Sequence, residues 1–240
     1  MSARIVLPGD LLSVTTNEEL PVLLGPGVVE DPQTQIITPV NAGIEVVTQT
    51  RKATTINIDY DSTRYIPAVG DYVIGIITGA FGDSYKVSLA SFSNGVSLSY
   101  MAFPNATKKN RPTLKVGDLV YARVCSAEKE LEAEIECVDS TTGKDTGFGH
   151  LAGGMVIDVT LSFARNLLFN NDSSMLKILA KHTQFEIAIG VNGKIWVKAP
   201  DIKNTLACYK SIEECSKSKN SSEFPSIIKA IFTKLTNTIE

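Results

Sequence analysis

The stretch Gly190–Lys198, "GVNGKIWVK", decides how the C-terminal third of this chain folds. Two glycines flank two residues, the spacing of a loop that brings backbone N–H groups against a phosphate. Asn192-Gly193 is also a strong short signal for a hairpin turn. The flanks, "FEIAIG" and "KIWV", alternate as the two arms of a hairpin would. The reading is therefore a type I′-like turn at Asn192-Gly193 with positive φ, and Gly190 set where another backbone comes close. Trp196, the only tryptophan, belongs in a packed core or at a junction.

Outward from this hairpin the periodicity is mixed. Upstream, Met155–Leu161 ("MVIDVTL") reads as a strand. Ser162 reads as the N-cap of a helix with its apolar stripe on Phe163, Leu167 and Leu168. Met175, Leu176, Leu179 and Ala180 predict a second helix. Downstream, Asp201 caps a third through about Cys215, and a last helix carries Pro225 near its first turn and Ile227, Ile228, Ile231, Phe232 and Leu235 on one face. The order β-α-α-β-β-α with a terminal helix is that of a type I KH domain. In a KH domain the RNA-gripping G-x-x-G joins the first two helices. Here that junction is Phe169–Ser174, "FNNDSS", with no glycine and an acidic Asp172, a poor cradle for phosphate.

The N-terminal 150 residues read as strands and turns. Residues 1–60 are punctuated at Pro8-Gly9-Asp10, Gly25-Pro26-Gly27 and Asp31-Pro32, around β-leaning runs such as Thr54–Tyr60, "TTINIDY". Five longer runs follow: Asp71–Thr78, Ser84–Leu89, Gly95–Tyr100, Leu119–Cys125 and Leu131–Val138. They carry no helical period and predict a small closed barrel. The polar connection Pro104–Lys115, "PNATKKNRPTLK", separates the third run from the fourth.

Composition narrows the function. At 43% hydrophobic and 20% charged the chain is globular, and it has no apolar run of the ~18 residues that a membrane span needs. Met1–Asp10 has one basic residue and a short apolar run, Ile5–Leu7, too little for a secretory signal. Cys125, Cys137, Cys208 and Cys215 form no C-x-x-C, and His150 and His182 lie near no cysteine pair, so no zinc site is expected. The net charge of −3 argues against binding nucleic acid by bulk charge. Residues 61–125 nevertheless hold seven basic side chains against four acidic, which fits a confined anion-binding surface or simply a solvated face.

Val69–Ile77, "VGDYVIGII", and Leu114–Val124, "LKVGDLVYARV", look like the two V-G-D strand starts of an S1 domain, an OB-type barrel. Together with "PGD" at Pro8–Asp10, "LGPGV" at Leu24–Val28 and the G-x-N-G of Gly190–Gly193, the chain resembles the S1/KH cap subunits of the RNA exosome over essentially its whole length, in their fungal form. The resemblance implies a mixed, mainly β fold: an N-terminal β-domain over 1–62, a five-stranded S1 barrel over 63–150 and a KH domain over 151–240. It also implies a subunit without a catalytic centre that docks through its N-terminal domain onto a ring of RNase-PH-like proteins. There it would sit beside other S1/KH cap subunits and help pass single-stranded RNA, 3′ end first, toward an associated exoribonuclease. No cofactor and no membrane is implied. The expected compartments are nucleus, nucleolus and cytoplasm. A free-standing S1/KH regulator and a ribonuclease are the competing readings.

The basic segment Lys108, Lys109 and Arg111 is the leading candidate for RNA contact, because lysine and arginine hold phosphates without reading bases. Lys86 is a further candidate. Tyr85 could stack on a base or be an ordinary strand residue, as could Tyr100. Glu130, Glu132, Glu134 and Glu136 alternate with Leu131, Ala133 and Ile135 and predict an acidic ladder on one strand face, too flat for a metal site. Gly190, Asn192, Gly193 and Trp196 are assigned to structure, not to RNA.

Overall fold

The structure is a computed structural model that describes residues 4–13, 21–49, 53–91, 93–107, 109–128, 130–138, 147–170, 174–218 and 220–237. The chain divides into two compact units, Met1–Ser62 and Thr63–Glu240.

In the first unit, β1 (Arg4–Val6), β5 (Gly43–Gln49) and β6 (Thr54–Asp59) pair antiparallel, and β2 (Val22–Leu24) adds parallel to β6. A separate hairpin joins β3 (Val28–Glu30) to β4 (Ile37–Pro39). The period-two pattern of "TTINIDY" turns Ile56 and Ile58 into a core with Val6 and Val28. The opposite face of the sheet leaves Ile5, Leu23 and Ile44 exposed, with Ile5 directly across from Ile44.

The second unit begins with a barrel. β7 (Tyr72–Phe81), β8 (Ser84–Ser88), β9 (Val96–Ser99), β11 (Glu134–Glu136) and β10 (Leu119–Ser126) form a ring, closed where β11 pairs parallel to β9 and antiparallel to β10. Val73, Ile77, Val87, Leu98, Val120, Val124 and Ile135 fill its interior. β12 (Gly149–Leu151) pairs with the first half of β10 and leads into the KH portion.

One turn recurs at Leu7–Asp10, Ala68–Asp71 and Lys115–Asp118. Its glycine has positive φ: 89° at Gly9, 93° at Gly70 and 96° at Gly117. In each copy the aspartate's backbone N–H donates to the carbonyl three residues back, and its carboxylate accepts the N–H of that same residue. The repeated G-D is therefore a turn that needs glycine for its φ and aspartate for its closure.

The KH portion comprises β13 (Met155–Asp158), α1 (Leu161–Phe169), α2 (Ser174–His182), β14 (Glu186–Gly190), β15 (Lys194–Lys198), α3 (Ile202–Lys217) and α4 (Phe224–Asn237). Its antiparallel sheet runs β13-β15-β14. Ile157, Leu167, Leu179, Ile195, Ile212 and Ile228 pack between sheet and helices.

Three expectations are corrected. The N-cap of α1 is Thr160, not Ser162: the Thr160 hydroxyl accepts the Phe163 N–H at 3.3 Å, which places Ser162 inside the first turn. The fifth barrel strand is only Glu134–Glu136, so the acidic ladder does not form; Leu131 is 65% exposed instead of facing the core. Asn192 does not have positive φ. The hairpin closes with three residues, Val191–Gly193, between paired Gly190 and Lys194, with Gly193 alone at φ 77°. This is a type I-like turn followed by a left-handed glycine, and it leaves the Asn192 side chain available for another role.

Candidate nucleic-acid interface

The candidate surface lies on the outer face of β7–β9 and the loop between β9 and β10. On β8, Tyr85 and Val87 point inward and Ser84, Lys86 and Ser88 outward. The outward residues of the neighbouring strand segment, Gly95, Ser97 and Ser99, are all small. Across this low floor stands Phe81 at the end of β7, 71% exposed. Phe81 is absent from the sequence-based candidates; the available signal was an aromatic residue directly before the Gly82-Asp83 turn in "GAFGD".

The loop is pinned at both ends. Thr107 and Asn110 exchange backbone hydrogen bonds, each 3.1 Å, and exposed Lys109 sits between them. Lys108 lies outside the described residues. Farther along, the Tyr85 hydroxyl donates to the Pro112 carbonyl at 2.6 Å and accepts the Leu114 N–H at 3.0 Å. Tyr85 is 4% exposed and packs edge-to-face on Tyr100. The expectation that Tyr85 stacks on a base is thereby corrected: its ring is in the core and its hydroxyl holds the loop. Half-buried Tyr100 lies under the Arg111 guanidinium, 5.7 Å from the ring centre. Arg111 also pairs with Asp83 at 2.9 Å. Lys86 pairs with Glu132, and Arg123 with Glu136. No salt bridge joins Lys109 or Lys115 to a carboxylate among the described residues. Phosphate contact is what such projecting ammonium groups can provide, with Phe81 offering a ring face.

The G-x-N-G turn sits elsewhere and points inward. β8 pairs with β7 only from Ile76 onward, which leaves the edge of β7 at Tyr72–Ile74 open. The turn fills that edge. Val191 N–H donates to the Tyr72 carbonyl at 2.8 Å. The Asn192 amide donates to the carbonyls of Ile74 and Leu89 at 2.8 and 2.7 Å, and accepts the Ile74 N–H at 3.2 Å. An asparagine side chain thus takes the place of a strand residue's peptide group. A Cβ on Gly190 would come within 2.2 Å of the Asn192 side-chain oxygen and 2.8 Å of the Ile74 nitrogen. Trp196 is buried alongside, in a cluster with Ile74 and Ala188 between barrel and KH sheet, and its Nε1–H donates to the Gly153 carbonyl at 2.7 Å. Tyr121 closes the same joint by donating to the Ile189 carbonyl at 3.2 Å; burial and the neighbouring Tyr72 push its hydroxyl up to about 12.

His182 stacks on Phe232, and His150 lies 3.9 Å from Asp118. Among the described residues no group of three His, Cys, Asp or Glu side chains could hold a metal ion, and no helix is long and apolar enough to cross a membrane.

An OB-type barrel locked to a type I KH domain through a G-x-N-G turn defines the class of S1–KH proteins. The comparisons make this particular. Residues 65–149 match the family model "Exosome complex component RRP40, S1 domain", and 154–203 match a KH domain model. The chain is 60% identical over 235 residues to exosome complex component RRP40 of Saccharomyces cerevisiae, covering 97% of each chain. It is 42% identical to exosome complex component rrp40 of Schizosaccharomyces pombe over 66% of this chain and 65% of the relative. A crystal structure of a candidate exosome complex RNA-binding protein shares the fold, with TM-score 0.59 and 24% identity over 74% of this chain and 99% of that one. The chain belongs to the RRP40 family of exosome components.

Proposed function

We propose that this chain is a non-catalytic RNA-binding cap subunit of an RNA exosome, one that helps guide single-stranded RNA into the complex for 3′-to-5′ processing and degradation. One observation carries the reading: the likeness to an exosome component runs through 97% of both chains and so spans both structural units. The projecting Lys109 and Lys115, with Arg111 held beside them by Asp83, support RNA contact of the sequence-independent kind, in which phosphates are held and bases are not read. The carboxylates Glu132 and Glu136 support a role without catalysis, since each is engaged by a cation of the barrel. The exposed apolar face of the first unit, with Ile5, Leu23 and Ile44, supports docking onto the ring of RNase-PH-like subunits, and the compartments proposed are nucleus, nucleolus and cytoplasm.

The test is affinity purification of the tagged full-length chain from its own cells, followed by native mass measurement. The reading requires fixed stoichiometry with RNase-PH-like subunits. A chain recovered alone would favour a free-standing RNA-binding regulator. Degradation of single-stranded RNA by the purified chain with Mg²⁺ would contradict the absence of catalysis.

A further inference from the structure

Two kinds of cation occur on β8 and in the loop between β9 and β10. Lys109 and Lys115 project without a salt bridge among the described residues, whereas Lys86 and Arg111 are each held by a carboxylate. The holding is built into the strands. Lys86 stands opposite Ser97, which stands opposite Glu134, so Lys86 must cross the whole of β9 to reach Glu132. It can do so because Gly95 leaves the path open: a Cβ there would come within 2.7 to 3.3 Å of three carbons of the Lys86 stem. Arg111 is drawn the other way, from the loop onto Asp83 in the β7–β8 turn, while Tyr100 supports its guanidinium from below. Asp83 is itself fixed by its backbone, whose carbonyl accepts the Tyr100 N–H at 3.1 Å. Arg123 and Glu136 differ from both: they face each other directly across β10–β11 and are three-quarters buried or more, a brace inside the sheet.

We propose that Asp83 and Glu132 are internal counter-ions that set the strength of RNA binding. A phosphate reaching Arg111 or Lys86 must displace a carboxylate already bound there, and the released carboxylate then remains close to the RNA backbone. The exchange forms one ion pair and breaks another, so each of these cations contributes less to affinity than an unpaired one. The consequence is a surface that holds any single strand loosely enough for it to move along. This inference rests on the proposed RNA contact at the barrel and assigns which residues limit it.

The test measures binding of a uridine homopolymer RNA to the full-length chain at several salt concentrations. Asp83→Asn with Glu132→Gln should tighten binding by about three- to tenfold, since exposed ion pairs of this kind are individually weak. It should also steepen the salt dependence, because two more cations become available to phosphate, each worth roughly 0.7 in slope. Glu213→Gln with Glu214→Gln, which frees Lys217 on α3, removes the same number of negative charges and should leave both values within about twofold of wild type. Unchanged affinity in the first variant, or an equal gain in the second, overturns the inference. A third variant, Lys109→Ala with Lys115→Ala, separates the two levels of the argument. If it weakens binding while Asp83→Asn with Glu132→Gln changes nothing, RNA contact at the barrel stands and the counter-ion role falls. If it too changes nothing, both fall.

Discussion

The turn at Gly190–Gly193 and the loop at Thr107–Lys115 are both short polar connections between strands, and both carry asparagine next to a small or basic residue. The first is buried and the second exposed. What separates them is the state of the neighbouring strand edge. Beside the turn, β7 has lost β8 as a partner, and its open peptide groups draw the Asn192 amide inward. Beside the loop, Thr107 and Asn110 satisfy each other and Tyr85 satisfies Pro112 and Leu114, and Lys109 and Lys115 stay exposed. A glycine spacing that could cradle phosphate is thus used on protein backbone, and a glycine-free loop keeps its basic side chains at the surface.

The comparison can be broken most forcefully at the joint. Trp196→Ala should destabilise the second unit by about 3–5 kcal/mol, as expected for removing a buried aromatic. Asn192→Leu should cost about 2–4 kcal/mol, because it strands two carbonyls and an N–H that water cannot reach. Gly190→Ala should cost roughly 1–3 kcal/mol through overpacking against Asn192 and Ile74. Denaturant unfolding of the full chain measures all three, and RNA affinity well below the midpoint should be unchanged in each. A variant of normal stability that has lost RNA binding would reverse the assignment of the turn.

The smallest effect concerns Asp71, which closes the turn before β7 and accepts the Tyr65 hydroxyl at 2.8 Å. Burial holds its carboxyl above the ordinary value of 3.8, against the lowering influence of Tyr65, Ala68 and Arg165. The folded state therefore favours the neutral acid. That contribution is complete below the unfolded pKa and is lost as pH rises through the folded one. Asp71→Asn, which keeps an acceptor for Tyr65 without the charge, should gain stability relative to wild type as pH is raised from 3 to 7. A difference that shrinks over this range would contradict the cause given.

Much of the fold was legible because its signals are local. The alternation in "TTINIDY" and "SYKVSL", the helical stripes after Gly154 and the repeated G-D turns each depend on a few neighbouring residues. The glutamate run misled for the same reason: its alternation is perfect, but only Glu134–Glu136 meets a partner strand, and pairing is not visible in period alone. The site was less legible. Lys109 and Arg111 stand out as a basic loop. The inward turn of Tyr85, the reach of Lys86 over Gly95 and the Asp83–Arg111 pair depend on strand register and on contacts between residues 28 to 46 positions apart. The three-residue form of the Gly190 hairpin depends likewise on Ile74, which lies 118 residues from Asn192.

The central claim is that RNA is held by the loop of the barrel and not by the G-x-N-G turn. Its most direct test is the salt dependence of single-stranded RNA binding by full-length wild type and by a variant with Lys109, Arg111 and Lys115 all changed to alanine. Each phosphate contact contributes roughly −0.7 to the slope of log affinity against log salt, and Arg111 is already held by Asp83, so the variant should lose about 1.4 units, chiefly through Lys109 and Lys115. A slope equal to that of wild type would contradict the account.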